Sequence, residues 1–201
     1  MQIRAERNRS FDIDISFAVM AGTLLLGVIL GTLSFCFMPQ STTDLLSAAV
    51  KDFTGFRQTA GLGHILIDSF FVSTLFIAAE FVLGLSALGH LPELAVLLYR
   101  GCGLGIILSQ SYVSTDKSKL PAVILFIVPA ILVSCYALCL AAKEAVKMSG
   151  HILGLMLTGE AASSLPEHFR NYLTRFSALE ALAAVSAAVD CLCSLLIASK
   201  I

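Results

Sequence analysis

Four ionisable residues stand in stretches otherwise built of apolar side chains: Glu80, Arg100, Glu180 and Asp190. At a helix centre in a bilayer, insertion scales put the cost of such a charge at about 2.5 to 3.5 kcal/mol, so it normally faces a bundle interior or a partner charge. Carboxylates and a guanidinium so placed can bind an ion or relay a proton. Glu80 and Asp190 are the most central. Two readings stay open: Glu80, Asp190 and Arg100 line a polar path for an ion, proton or small solute, or they are ties. In the second reading Arg100 pairs with Glu80 or Asp190 to fix helix register, or Glu80 sits neutral in a dry site. Glu93 shares a helix face with Arg100 but lies about 10 Å away along the axis. Just after the Gly-His-Leu-Pro break, its carboxylate suits an interfacial first turn, and Glu180 is likewise expected at the interface.

Arg100 opens a second feature, the run Arg100-Gly101-Cys102-Gly103-Leu104-Gly105. Gly101 and Gly105 form a GxxxG pair with Gly103 between them, leaving bare backbone against which another helix can press. Gly27 and Gly31 make a similar face upstream. These five glycines are the expected helix-docking positions, toward neighbouring helices or toward a partner. Monomer and homo-oligomer both stay open. A glycine-permitted helix break that forms a binding site, as in some transporters, is the alternative use of the triple glycine.

Other chemistry finds no support. Neither HExxH nor GxSxG is present, so no catalytic residue is assigned and the expectation is a protein that is not an enzyme. Cys36, Cys102, Cys135, Cys139, Cys191 and Cys193 all lie in apolar runs without CxxC spacing, and the four histidines are scattered. Neither a metal site nor a cofactor is expected. With a formal net charge of -1 and no basic or aromatic reader pattern, nucleic acid is not an expected partner.

The elements that position these residues follow from composition. The chain has 201 residues, 57% of them hydrophobic and 13% charged, where a soluble protein carries roughly 25% charged residues. It reads as an all-α integral membrane protein, a single domain over residues 1–201 with the lipid bilayer as its first partner. Five transmembrane helices are expected at about 15–38, 69–88, 92–113, 120–142 and 177–199, each long enough for a hydrocarbon core of roughly 30 Å. The first is too long for a signal-peptide core and reads as retained. Between Pro39 and Gly63 apolar residues recur at helical spacing, which suggests an interfacial helix or a partly ordered loop. Gly89-His90-Leu91-Pro92 breaks the chain, Ser114–Lys119 is a polar turn, and a kink is expected at Pro129. Ser164-Leu165-Pro166-Glu167 has capping-box form, opening a helix that continues into the fifth span. Arg4, Arg7, Arg9, Lys143, Lys147, Arg170 and Arg175 fall on one side, with Lys51, Arg57, Lys117, Lys119 and Lys200 on the other. This bias places the N-terminus in the cytoplasm.

The ordered pieces resemble the stage II sporulation protein M family. They are Gly27-Val28-Ile29-Leu30-Gly31, Gly89-His90-Leu91-Pro92, Leu97-Leu98-Tyr99-Arg100-Gly101, Leu120-Pro121 with Ile127-Val128-Pro129, and Arg175-Phe176-Ser177-Ala178. The likeness runs from about Phe17 to Ile197, and Glu80 departs from it. The resemblance implies a non-enzymatic anchor or scaffold in the mother-cell membrane. It would hold a peptidoglycan-remodelling engulfment complex with stage II sporulation proteins D and P, whose chemistry belongs to those partners. A transporter or permease component using Glu80, Arg100 and Asp190 is the alternative.

Overall fold

Ala137, Ala141, Ala145 and Ser149 recur every four residues, so all four project from one face of a helix. Each is at most 1% exposed. That helix, α5 (Leu120–Thr158), has 39 residues, and the rest of the chain is arranged around it. The protein is described by a computed structural model covering residues 2–59, 61–114, 120–158 and 165–198, with side-chain surroundings described for 15–49, 61–113, 128–157 and 166–195.

The described residues form six helices: α1 (Gln2–Cys36), α2 (Gln40–Thr59), α3 (Leu62–Gly84), α4 (His90–Ser114), α5 and α6 (Leu165–Ala198). All but α2 contain a stretch long and apolar enough to cross a membrane, namely Ile15–Cys36, Leu62–Gly84, His90–Val113, Val128–Leu157 and Pro166–Leu195. The polytopic all-α architecture expected from composition is therefore present. Large apolar side chains cover its outside: Leu25, Ile29, Phe71, Val82, Leu132 and Leu192 are each about 60% exposed, as a lipid-facing surface requires.

The second, fourth and fifth spans differ in extent from the sequence expectation, the fifth because the apolar stretch already begins at Pro166 in the helix expected to lead into it. The second begins at Leu62 rather than Ser69, because Asp68 is carried on the exposed side of the helix and does not stop it. It ends at Gly84 rather than Leu88. Leu85 and Ser86 close a tight turn instead, their amides donating to the carbonyls of Val82 (3.2 Å) and Leu83 (2.9 Å). The fourth continues past Ala142, since Lys147 and Glu144 pair three residues apart at 2.9 Å on its surface. Pro129 lies inside an uninterrupted α5; just beyond it the Ala130 carbonyl accepts a 3.2 Å hydrogen bond from Ser186 of α6. The segment after Pro39 is the helix α2. Lys117, Lys119 and Lys200, most of the polar turn, and Ser164 of the capping box lie outside the described residues.

Two cores share α5. Ala137, Ala141, Ala145 and Met148 pack with Ile77 of α3 and with Tyr172, Phe176, Leu179 and Ala183 of α6. Leu138, Cys139 and Ala142, on the adjacent face, pack with Met20 and Leu24 of α1 and Leu97 of α4. Alanine brings the α5 backbone close to its neighbours, which is how helices gain contact where lipid is as apolar as the side chains.

The α1–α4 contact is closer still. A Cβ built on Gly27 would collide with the Leu98 carbonyl oxygen and lie 3.0 Å from the Gly101 Cα; one on Gly31 would lie 2.8 Å from the Cys102 Cα. In return, Gly101 faces the Leu24 carbonyl and the Gly27 Cα at 3.0 Å, and Gly105 faces the Val28 carbonyl and the Thr32 amide nitrogen at 2.9 Å. Residue numbers rise together along this seam, so the two helices run parallel. Four of the five docking glycines are thus spent inside the chain, on each other's helices. Gly103 is not among them: it is exposed and has open space where a Cβ would stand.

Gly27→Ala and Gly101→Ala are expected to destabilise the protein by about 1 to 3 kcal/mol, the cost of overpacking, because the added methyl meets backbone that cannot swing aside. Gly103→Ala is expected to leave stability unchanged or slightly raised. Unfolding midpoints in detergent, compared across the three variants, check both.

Candidate functional site

The parallel α1–α4 pair and the alternating course of the later helices place the start of α1, the Leu85–Gly89 turn, the end of α5 and the start of α6 at one end of the bundle, called here the turn end. Polar side chains from four helices converge there. The turn itself is held from outside by α5: the Ser149 hydroxyl donates to the Ser86 carbonyl at 2.7 Å and lies 3.1 Å from His90 Nδ1. Since the hydroxyl has one hydrogen and gives it to Ser86, His90 Nδ1 carries the hydrogen that completes the second bond. On the α6 side, the Tyr172 hydroxyl donates to the Phe81 carbonyl at 3.0 Å, and its ring stacks on Phe81 with centroids 5.1 Å apart. Phe176 closes this aromatic group, 4.6 Å from Tyr172 and 5.1 Å from Phe81.

Two glycines let this happen. At Gly84 a Cβ would stand 2.8 Å from the Ala145 Cα and against the Tyr172 hydroxyl, so α3 touches α5 there through bare backbone. At Gly89 it would stand against the Leu83 carbonyl, 2.7 Å from Glu93 Oε1 and 3.0 Å from Ser149 Oγ.

Within this cage lie Glu80 of α3 and Glu93 of α4, both 0% exposed. None of their four carboxylate oxygens has a hydrogen-bond partner among the described residues. Glu93 stands in the first turn of α4, as expected, but its side chain is buried rather than open to water: it points inward over Gly89, whose missing side chain leaves room for it. The signal was the glycine four residues before Glu93, which was read only as a helix breaker.

The embedded charges do not assemble as a trio. The Arg100 guanidinium carbon lies over the Phe76 ring, 4.9 Å from its centroid, a cation–π contact where pairing with Glu80 or Asp190 was one expectation. Asp190 accepts a hydrogen bond from Ser69. Ser69 precedes Glu80 by eleven residues of α3, which separates the two levels by roughly 16 Å of helix rise. Glu180 is also corrected from its interfacial placement: half-buried midway along the α3–α6 contact, it accepts a 2.9 Å hydrogen bond from Thr74. Hydroxyls of α3 therefore meet both Glu180 and Asp190 of α6.

Two surface recesses open beside this region. One, of about 250 Å³, lies between α5 and α6 and is lined by Glu144, Lys147, His151, His168, Asn171 and Arg175, among others. There Glu144 joins Lys147 and Arg175, and the rings of His151 and His168 stack 4.1 Å apart. The other, of about 200 Å³, is lined mainly by apolar groups of α3 and α6 with Glu180 at its edge. Neither is lined by Glu80, Arg100 or Asp190. Among the described residues, no three His, Cys, Asp or Glu side chains gather as for a metal ion.

No protein-family model matches the chain, and no match was found among curated proteins or solved structures.

Tyr172→Phe keeps the aromatic stack and loses the bond to Phe81, so it is expected to cost about 0.6 kcal/mol, the average for interhelical hydrogen bonds in membranes. Tyr172→Ala, which also empties the stack, is expected to cost about 3 to 5 kcal/mol. Equilibrium unfolding in mixed micelles separates the two.

Proposed function

We propose that this protein is a non-enzymatic membrane scaffold, a multi-pass anchor on which other proteins assemble. One observation carries the reading: Arg100, Glu180 and Asp190 are each engaged in a separate helix-to-helix contact, with Phe76, Thr74 and Ser69. Charges spread in this way act as ties at several depths, where a transport path needs them lined up along one cavity. The alternative of a permease that uses Glu80, Arg100 and Asp190 together loses its main support from this arrangement.

The resemblance to the stage II sporulation protein M family supplies the cellular context of the proposal. In it the chain sits in the mother-cell membrane with its N-terminus in the cytoplasm and anchors a peptidoglycan-remodelling engulfment complex with stage II sporulation proteins D and P. Because Gly27, Gly31, Gly101 and Gly105 are occupied within the chain, partners are left with other surfaces. The α5–α6 hairpin is suited to this. Its helices have 39 and 34 residues, about 58 and 51 Å of rise, well beyond a core of roughly 30 Å.

Co-expressed with stage II sporulation proteins D and P, the tagged full chain is expected to retain both through detergent purification. Vesicles carrying the chain alone are expected to show no more ion flux than empty ones. Recovery of neither partner sinks the scaffold reading; flux that disappears with Asp190→Asn revives the permease.

A further inference from the structure

Two cations of the turn end share a single carboxylate. Glu144 of α5 accepts one N–H from Lys147, at 2.9 Å, and one from Arg175 of α6, and all three line the recess of about 250 Å³ between those helices. An ammonium and a guanidinium each carry several N–H donors, so the ion pairs fix where the cations stand without using those donors up. The Lys147 and Arg175 side chains are 45% and 57% exposed, which leaves them open to a ligand. No other carboxylate lines the recess, so its wall is net positive whatever the state of its two imidazoles. Neutral groups complete it: the Asn171 amide and the stacked rings of His151 and His168. The Nε2 atom of His151 is buried and has no hydrogen-bond partner among the described residues, a cost that a ligand oxygen relieves. The space holds several water molecules, each of about 30 Å³, or one tetrahedral oxyanion in their place.

We propose that this recess binds a phosphoryl oxyanion, with Lys147 and Arg175 as its charged ligands. The donor chemistry selects the class: an arginine fork fits a pair of phosphate oxygens, and an ammonium meets a third as a point charge. Glu144 is a positioning residue, holding both cations on the same recess. Depth bears on the source. The charged residues of α5 are Lys143, Glu144 and Lys147, gathered within little more than one turn, and the cations of α6 are Arg170 and Arg175, both in its turn-end half. Lysine and arginine gathered toward one end of such spans mark the headgroup level, and basic pockets between membrane helices take lipid headgroups. An anionic phospholipid of the adjoining leaflet and a soluble phosphate offer the same phosphoryl chemistry, and the depth favours the lipid. The inference goes beyond the scaffold reading and does not rest on it.

The test uses the full chain purified in an uncharged maltoside detergent. It is titrated with inorganic phosphate, with dioctanoyl phosphatidylglycerol and, as the zwitterionic control, with dioctanoyl phosphatidylcholine; bound ligand is counted by native mass spectrometry and the unfolding midpoint is followed. Phosphatidylglycerol is expected to saturate at about one per chain and to raise the midpoint, while phosphatidylcholine does neither. Lys147→Gln and Arg175→Gln are each expected to weaken that binding by about tenfold, the loss of a charge-assisted contact read as a change in dissociation constant. Arg170→Gln, which removes the same charge from α6 outside the recess, is expected to leave it unchanged. Saturation by inorganic phosphate with this same pattern of variants supports the site and makes soluble phosphate its source. If neither anion saturates, or if phosphatidylcholine binds as well as phosphatidylglycerol, the proposal is wrong. Equal weakening by Arg170→Gln and Arg175→Gln also overturns it, because diffuse surface charge would then be what the anion meets. So does affinity unchanged in both Lys147→Gln and Arg175→Gln. Should a variant fail to fold, carbethoxylation of the parent decides: the bound anion is expected to slow modification of His168 but not of the exposed His64 at the far end of α3, and equal rates with and without ligand refute the site.

Discussion

Between helices in a bilayer, burying an apolar side chain gains little, because lipid tails are equally apolar; what holds helices together is close backbone approach. Everything in this fold follows from where small residues permit that approach. Gly27, Gly31, Gly101 and Gly105 let α1 and α4 meet along a backbone-to-backbone seam, and Gly84 lets α3 reach Ala145. Ala137, Ala141 and Ala145 do the same for one face of α5 toward α6 and α3. Larger groups at these positions would separate the helices by more than the reach of the Tyr172, Ser149 and Thr74 hydroxyls. The hydrogen bonds are therefore consequences of the glycines and alanines, formed where the backbones already lie close.

The same constraint sorts the embedded charges. A carboxylate on α6 at a close helix contact can be met by a hydroxyl on α3, as Thr74 meets Glu180 and Ser69 meets Asp190. Serine and threonine are short enough to sit in such a contact without prising it open. Arg100 is too long for that role, and its guanidinium lies across the Phe76 ring, where a delocalised cation is stabilised without a carboxylate. Glu80 and Glu93 are different in kind, since the hydroxyls around them serve backbone carbonyls.

Much of the helical plan was legible in the sequence, and the reasons are physical. Long apolar runs and the GxxxG spacing are one-dimensional signals, and they located all five spans and four glycines that do meet another helix. What one dimension cannot carry is which face looks where. Gly103 has the same residue type and neighbourhood as Gly101 and Gly105, yet two positions along a helix turn it away from α1, into open space. Glu93 looked interfacial because it follows a helix breaker, but the glycine of that breaker is what admits its carboxylate to the interior. Charges expected to end the fourth span instead ride on the surface of a continuing helix, where Glu144 binds Lys147 one turn on. The alanine–serine stripe of α5 was present at regular spacing throughout; alanine is so common in apolar runs that only its partners distinguish a packing face.

The two cores place the turn end in a mechanical position. One core joins α3, α5 and α6, the other α1, α4 and α5 with Phe76 of α3 packed against it, and Phe76 also carries the Arg100 guanidinium of α4. Chain continuity adds a further link, the Leu85–Gly89 turn from α3 into α4, tied down by Ser149 through Ser86 and His90. Because α1 is locked to α4 by the glycine seam, where the turn sets α4 it also sets α1. Glu80 belongs to α3 and Glu93 to α4, and both are fully buried. Two fully buried carboxyl groups, one on each of the helices that the turn joins, therefore lie in the part of the bundle where α3, α4 and α5 are fixed to one another.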